Sequence, residues 1–181
     1  MRIIELLTAI QTSLKAALPE LYNCDLHGGR FDLKELNRIA ARTPSIYIAC
    51  LGSKTLKDVA TGESDLTLTL AAFVVTTDKQ GLPRLEGVIN LTEAVMLHVI
   101  NNRFGLKGLG AGTDASYQNL YNGAIDKHGV AMNSVTWQQT LRIGDDEFAS
   151  TGQVFKDLYW GLDPQTGTGN ENEYDHAGGA A

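Results

Sequence analysis

The chain has 181 residues, 43% hydrophobic and 20% charged, a balance that allows a globular domain with a sizeable core. Its formal net charge of −6 is concentrated at one end, because Gly161–Ala181 holds Asp163, Glu171, Glu173 and Asp175 and no Lys or Arg. The nearly neutral remainder argues against a surface that neutralises nucleic-acid phosphates, and no run approaches the roughly 18 apolar residues that cross a membrane.

Ile3, Leu7, Ile10, Leu14 and Ala17 recur at helical spacing and predict an amphipathic helix over 2–17, closed by Leu18–Pro19. Glu5 and its polar neighbours break any leader-like apolar stretch, so no signal peptide is expected. Tyr22–Gly29 reads as a loop or short edge strand, with Gly28–Gly29 as the break. Asp32 and Glu35 then have the spacing of a capping box for a short helix, whose apolar face is Leu33, Leu36, Ile39 and Ala40. Thr43–Pro44 stops it, since the residue before proline avoids the α region.

Ser45–Leu51 is an apolar strand ending at Gly52, and the polar stretch Lys54–Gly62 reads as a hairpin connection. Ser64–Asp78 is the strongest strand. Leu66, Leu68, Leu70, Ala72 and Val74 share one face, and Thr67, Thr69, Ala71, Phe73 and Val75 the other, so a central position under helices is expected. A second long helix is predicted over Glu86–Phe104, with Asn90 and Glu93 as a cap, followed by a mobile linker containing Gly105, Gly108, Gly110 and Gly112. Tyr117–Tyr121 and Val130–Ile143 read as two more strands, joined through Asn122–Gly123 and Lys127–Gly129. In the latter, Ala131, Val135, Trp137, Leu141 and Ile143 form an apolar stripe.

Little in this order supports catalysis. GLGAGT at 108–113 follows a helix rather than joining a strand to a helix N-terminus, and it lacks the lysine of a phosphate-binding loop. His27, His98, His128 and His176 are scattered, and Asp145–Asp146–Glu147 reads as a solvated turn. Cys24 and Cys50 are too few for a disulfide framework and lack metal-site spacing. No G-x-S-x-G occurs. No catalytic, cofactor or metal site is therefore expected. The alternative to chemistry is an interface: Tyr159 and Trp160 stand at the edge of the folded body, and Tyr174 interrupts a hydrophilic tail. The expected organisation is one domain over 1–160 and an acidic, glycine-rich arm over 161–181, disordered or ordered on assembly.

Four segments carry a resemblance: FDLKELNRIAARTPSIYIACLG at 31–52, DLTLTLAAFVVT at 65–76, Val130–Gly144 with Trp137 and Gln138, and LYWGLDPQTGTGNENEYDH at 158–176. In order and spacing the chain resembles the tail-terminator, or tail-completion, proteins of Mu-like contractile-tailed bacteriophages. The resemblance implies an α+β domain with helices on a β-sheet, and the order of elements read from the residues makes this a mostly antiparallel sheet covered by two long helices plus a short one, with an extended C-terminal arm. It implies a homo-oligomeric ring, a hexamer, on the head-proximal end of the phage tail, where it stops tube polymerisation. Its partners would be its own copies, the tail tube and sheath proteins, and a neck or connector protein, with no nucleic-acid specificity and no membrane. The protein would assemble in the host bacterial cytoplasm and reside in the virion. The terminal AGGAA departs from the family pattern. A head–tail connector, a small cytosolic enzyme and a monomeric binding module are the rival readings.

Overall fold

The computed structural model describes residues 2–29, 38, 40, 42–79, 81–120, 129–149 and 158–178. The chain forms two compact units, Met1–Asp145 and Asp146–Ala181, and each is described by itself.

The first unit is built on a five-stranded sheet in the order β1-β2-β3-β5-β4: β1 Asn23–Leu26, β2 Ser45–Asp58, β3 Ser64–Thr77, β4 Thr113–Asn119 and β5 Val130–Ile143. Among the described residues it also has two helices of 16 residues, α1 (Arg2–Ala17) and α2 (Arg84–Val99). This corrects the expected fold in several respects. The sheet is mixed, because β1 runs parallel to β2 while the other pairings are antiparallel. The helices are 16 residues each rather than long, and the second stops at Val99 instead of Phe104. In place of an extended arm, the second unit pairs β6 (Leu158–Trp160) with β7 (Asp175–Gly178). The capped helix expected from Asp32 lies outside the described residues.

The helix stop has a local cause. Ile100 turns extended and Asn101 takes φ 58°, a left-handed value that ends a helix. The Asn102 side-chain amide then donates to the His98 carbonyl at 2.9 Å, satisfying one of the orphaned C-terminal acceptors. At the other end Asn90 lies inside the helix and caps nothing; the Asp78 carboxylate accepts from the Arg84 N–H at 2.9 Å instead.

β3 lies between β2 and β5 and pairs with β5 without interruption from Ser64↔Ile143 to Thr77↔Val130. On the helix-bearing face, Leu68, Leu70, Ala72 and Val74 pack with Leu6, Ile10 and Leu14 of α1 and with Val88, Leu91, Val95 and Val99 of α2. Val135, Trp137 and Leu141 of β5 join the same core. The buried stripe of α1 is thus rotated from the expected one, leaving Ile3 and Ala17 exposed. On the opposite face Tyr47, Ala49, Ala71, Phe73, Val75, Val130 and Met132 form a second, smaller cluster. Cys24 is fully buried in the first core, and burial pushes its thiol up to about 11, so it acts as a packed hydrophobe.

Two segments expected to be loose are structured. β2 continues through Lys54 to Asp58, and only Val59–Glu63 turns the hairpin, with Val59 N–H donating to Glu63 O at 2.9 Å. Residues Leu51–Asp58 are all exposed and form an arm paired to Ser64–Thr69, with irregular register at Cys50/Gly52 and Ser53/Thr55. The glycine-rich segment 100–112 is also held. Ile100 bridges Gly112, Gly110 N–H donates to Thr140 O at 2.7 Å, and Arg142 N–H donates to Gly108 O at 2.8 Å.

Gln139 completes that attachment. It is 1% exposed, and its Nε2 donates to Asn102 O at 2.9 Å and Gly110 O at 3.0 Å while its Oε1 accepts from Trp137 Nε1 at 3.2 Å. Asn133, likewise buried, donates to Thr92 Oγ1 at 3.0 Å, and Thr92 donates to Val88 O at 2.6 Å. The inner face of β5 therefore alternates apolar packing with satisfied polar anchors.

Candidate interaction surfaces

The second unit gathers the three aromatics nominated from the sequence. Tyr159 pairs with His176 and Trp160 with Asp175 across β6–β7. The Tyr159 and His176 rings are 5.1 Å apart and tilted by 54°. Tyr174 lies just before β7, and its hydroxyl accepts from Gly167 N–H at 2.6 Å. Its ring covers Gly161 so closely that a Cβ there would approach ring carbons at 2.8 Å, which explains a glycine directly after Trp160. Glu171 accepts from Gly169 N–H through both carboxylate oxygens at 3.0 Å, and those backbone bonds hold its pKa below the usual carboxylate range. The turn is thus tied internally, leaving Tyr159 57% and Trp160 49% exposed. As consecutive residues of a strand the two project to opposite faces, so each side of the β6–β7 pair carries one exposed aromatic.

The first unit offers other surfaces that sequence patterning did not single out. Leu85, Ile89 and Leu97 of α2 are exposed along one flank, each four or eight residues from the next, and exposed Tyr117 of β4 lies beside them. Ile89, Leu97 and Tyr117, together with Thr92, Glu93 and Met96, border a groove of about 340 Å³. The missed signal was the spacing itself: Leu85, Ile89 and Leu97 form a second apolar stripe on a helix already apolar on its inner face. A cavity of about 200 Å³ also opens beside α2, lined by Pro44, Thr76, Leu82, Leu91 and Ala94 with Glu20 and Lys79. That lining is predominantly apolar and brings no pair of acid–base groups into contact.

The sheet edges form the remaining surface. β1 covers only Ser45–Ile48 of β2, so among the described residues no strand lies along the outer edge of Leu51–Asp58. β4 is the opposite edge, and most of its residues are exposed. Arg142 grips Asp65 across β5 and β3 with bonds of 2.9 and 3.0 Å beside the arm, which lowers the Asp65 pKa.

The titratable groups are dispersed. His27 Nδ1 accepts from Gly29 N–H at 3.0 Å, and its ring meets Tyr47 edge-on at 5.7 Å. His98 shares a 2.8 Å hydrogen bond with Ser13 that joins α2 to α1, with Phe104 at 6.2 Å between ring centres. His128 lies outside the described residues. Asp146 accepts from Phe148 N–H at 2.9 Å within a turn. Among the described residues no group of three His, Cys, Asp or Glu side chains could hold a metal ion, and no helix is long and apolar enough to cross a membrane.

Burial holds the His98 pKa below the ordinary histidine value. The unfolded chain therefore binds the proton first as pH falls through about 6.5, and stability declines below that point while this contribution stays level above it. Melting of the wild type between pH 7 and pH 5 is expected to fall more steeply than that of His98→Gln, which keeps a polar contact for Ser13 but does not titrate. Equal slopes would show that His98 is not the linked group.

No protein-family model matches this sequence, and no curated protein matches it.

Proposed function

We propose that this chain is a structural, non-enzymatic subunit that closes into a ring and terminates a contractile phage tail at its head-proximal end. The observation that carries the reading is the pair of edges of one sheet along which no further strand lies among the described residues, β2 beyond Ile48 on one side and β4 on the other. Edge strands accept strands from neighbours, and two different edges on one subunit give head-to-tail contacts of the kind that close rings. The segment order that resembles Mu-like tail terminators supports the same assignment. In this reading the subunit meets the tail tube and sheath on one ring face and the neck or connector protein on the other, and Tyr159, Trp160 and Tyr174 supply an aromatic contact to one of them.

Native mass spectrometry across a concentration series, with negative-stain images of the same sample, tests the ring. Closed rings of about six copies are expected. A compact monomer at every concentration overturns the reading. Loss of the protein from its phage should then give tails of aberrant length; normal tails detached from heads would assign it to the connector instead.

A further inference from the structure

We infer that the subunit interface of the ring is formed by the exposed β2 arm of one copy adding to the β4 edge of the next, with Leu56 entering the groove between β4 and α2. This rests on the ring reading above and names the surfaces that build it.

Three independent features of the sheet agree on this pairing. The first is face. Leu56 pairs with Leu66, and Leu66 packs on the helix-bearing core, so Leu56 projects from that side of the sheet. Tyr117 pairs with Val135, another residue of that core, so it projects from the same side. A sheet continued from one copy to the next therefore places Leu56 on the side where Ile89, Met96, Leu97 and Tyr117 line the groove. Leu56 is 60% exposed, Leu97 69% and Tyr117 59%, so each has apolar area to bury.

The second is direction. β2 is antiparallel to β3, β3 to β5 and β5 to β4, so β4 runs opposite to β2. A rotation about an axis roughly along the strands preserves that relation, and the added strand is antiparallel to β4. Such pairing repeats the antiparallel sense that both edge strands already have with their neighbours.

The third is height. β4 lies level with Asn133–Gln138 of β5, hence with Thr69–Val74 of β3 and with Ile46–Gly52 of β2. The uncovered part of β2 lies about six residues further along the strand, so each copy must slide by about 20 Å relative to its neighbour. Across five strands, about 24 Å, that slide inclines the strands by about 40° to the ring axis, within the usual range for closed barrels. Charge agrees: the arm carries Lys54 and Lys57 beside Asp58, whereas β4 carries Asp114 and no base, and Glu93 lines the groove.

The test is disulfide trapping in a Cys50→Ser background, since Cys24 is buried. The double variant Leu56→Cys with Tyr117→Cys is oxidised at concentrations where the wild type is oligomeric and read on non-reducing gels. A ladder of covalent oligomers up to the full ring is expected, with monomers only from either single variant and dimers only from their mixture. Dimers from Leu56→Cys alone would overturn the proposal, because they indicate a two-fold contact between arms. Rings that yield no ladder would overturn the interface and leave the ring reading standing, whereas a wild type monomeric throughout would overturn both. Leu56→Asp provides a second readout at an exposed position: it is expected to reduce rings to monomers with an unchanged circular dichroism spectrum, and rings that persist would overturn the proposal.

Discussion

Replacing Gly112 with alanine is expected to cost about 3 kcal/mol, lowering the melting temperature by roughly 6–12 °C in a chain of this size. An added Cβ would overlap the Val99 carbonyl oxygen and lie 3.2 Å from the Val99 carbonyl carbon and 3.5 Å from Trp137 Cδ1. Neither obstacle can swing away. The first belongs to the last turn of α2, and the second to an indole that is 1% exposed. Gly112 also pairs through its backbone, receiving from Asn101 N–H at 3.0 Å and donating to Asn102 O at 3.2 Å. Relief by backbone movement would break those bonds. Gly28, where a Cβ meets nothing within 4 Å, is the control, and alanine there should stay within about 0.5 kcal/mol of wild type. Equal effects at the two positions, measured by urea titration, would refute the steric account.

The second large effect is expected at Gln139. Leucine fills a similar volume but leaves the Trp137 indole N–H and the Gly110 carbonyl without the partners Gln139 supplies, and it weakens the hold on the Asn102 carbonyl. Each buried polar group stranded in this way costs about 1–3 kcal/mol, so a loss of about 3 kcal/mol is expected. Hydrogen exchange supplies a local readout. The Gly110 and Gly112 amides, which bond to Thr140 O and Asn102 O, should lose protection more than the amides at the centre of β3. Uniform loss across the domain, or a cost below about 1 kcal/mol, would mean that Gln139 does not anchor the segment.

These two positions also mark where sequence patterning stopped being informative. Alternation in Ser64–Asp78 identifies a strand with two distinct faces because both faces of β3 pack against something, and the parity of Val135, Trp137 and Leu141 works for the same reason. The arm Leu51–Asp58 has no such contrast. Both of its faces are exposed, its register is broken twice, and Gly52, Ser53 and Lys54 resemble a connection although Gly52 and Ser53 pair with Thr69 and Leu68 of β3. Composition also misleads at 105–112. Four glycines suggest mobility, but the anchor is a single amide nearly thirty residues beyond, whose neighbours cannot be inferred from its identity.

The interaction surfaces were legible to a lesser degree. Tyr159, Trp160 and Tyr174 stand out as aromatics near an acidic tail, whereas a three-residue strand such as β6 is too short to have a period. The contact between the Tyr174 ring and Gly161 depends on tertiary geometry alone. The exposed flank of α2 was hidden because an apolar helix is first assigned to the core, and only the position of the sheet shows which stripe is left over.

The two irregularities in β2 bear on a hazard that accompanies any uncovered strand. An even, apolar edge recruits whatever extended chain it meets, including a nascent copy of itself, and grows into aggregates without end. In the arm, the register shifts at Cys50/Gly52 and Ser53/Thr55 interrupt the regular hydrogen-bond repeat, and Lys54 at the second shift and Lys57 beyond it charge the surface. An indiscriminate strand finds neither a straight template nor a neutral one, so the arm can remain exposed at high protein concentration without nucleating fibres.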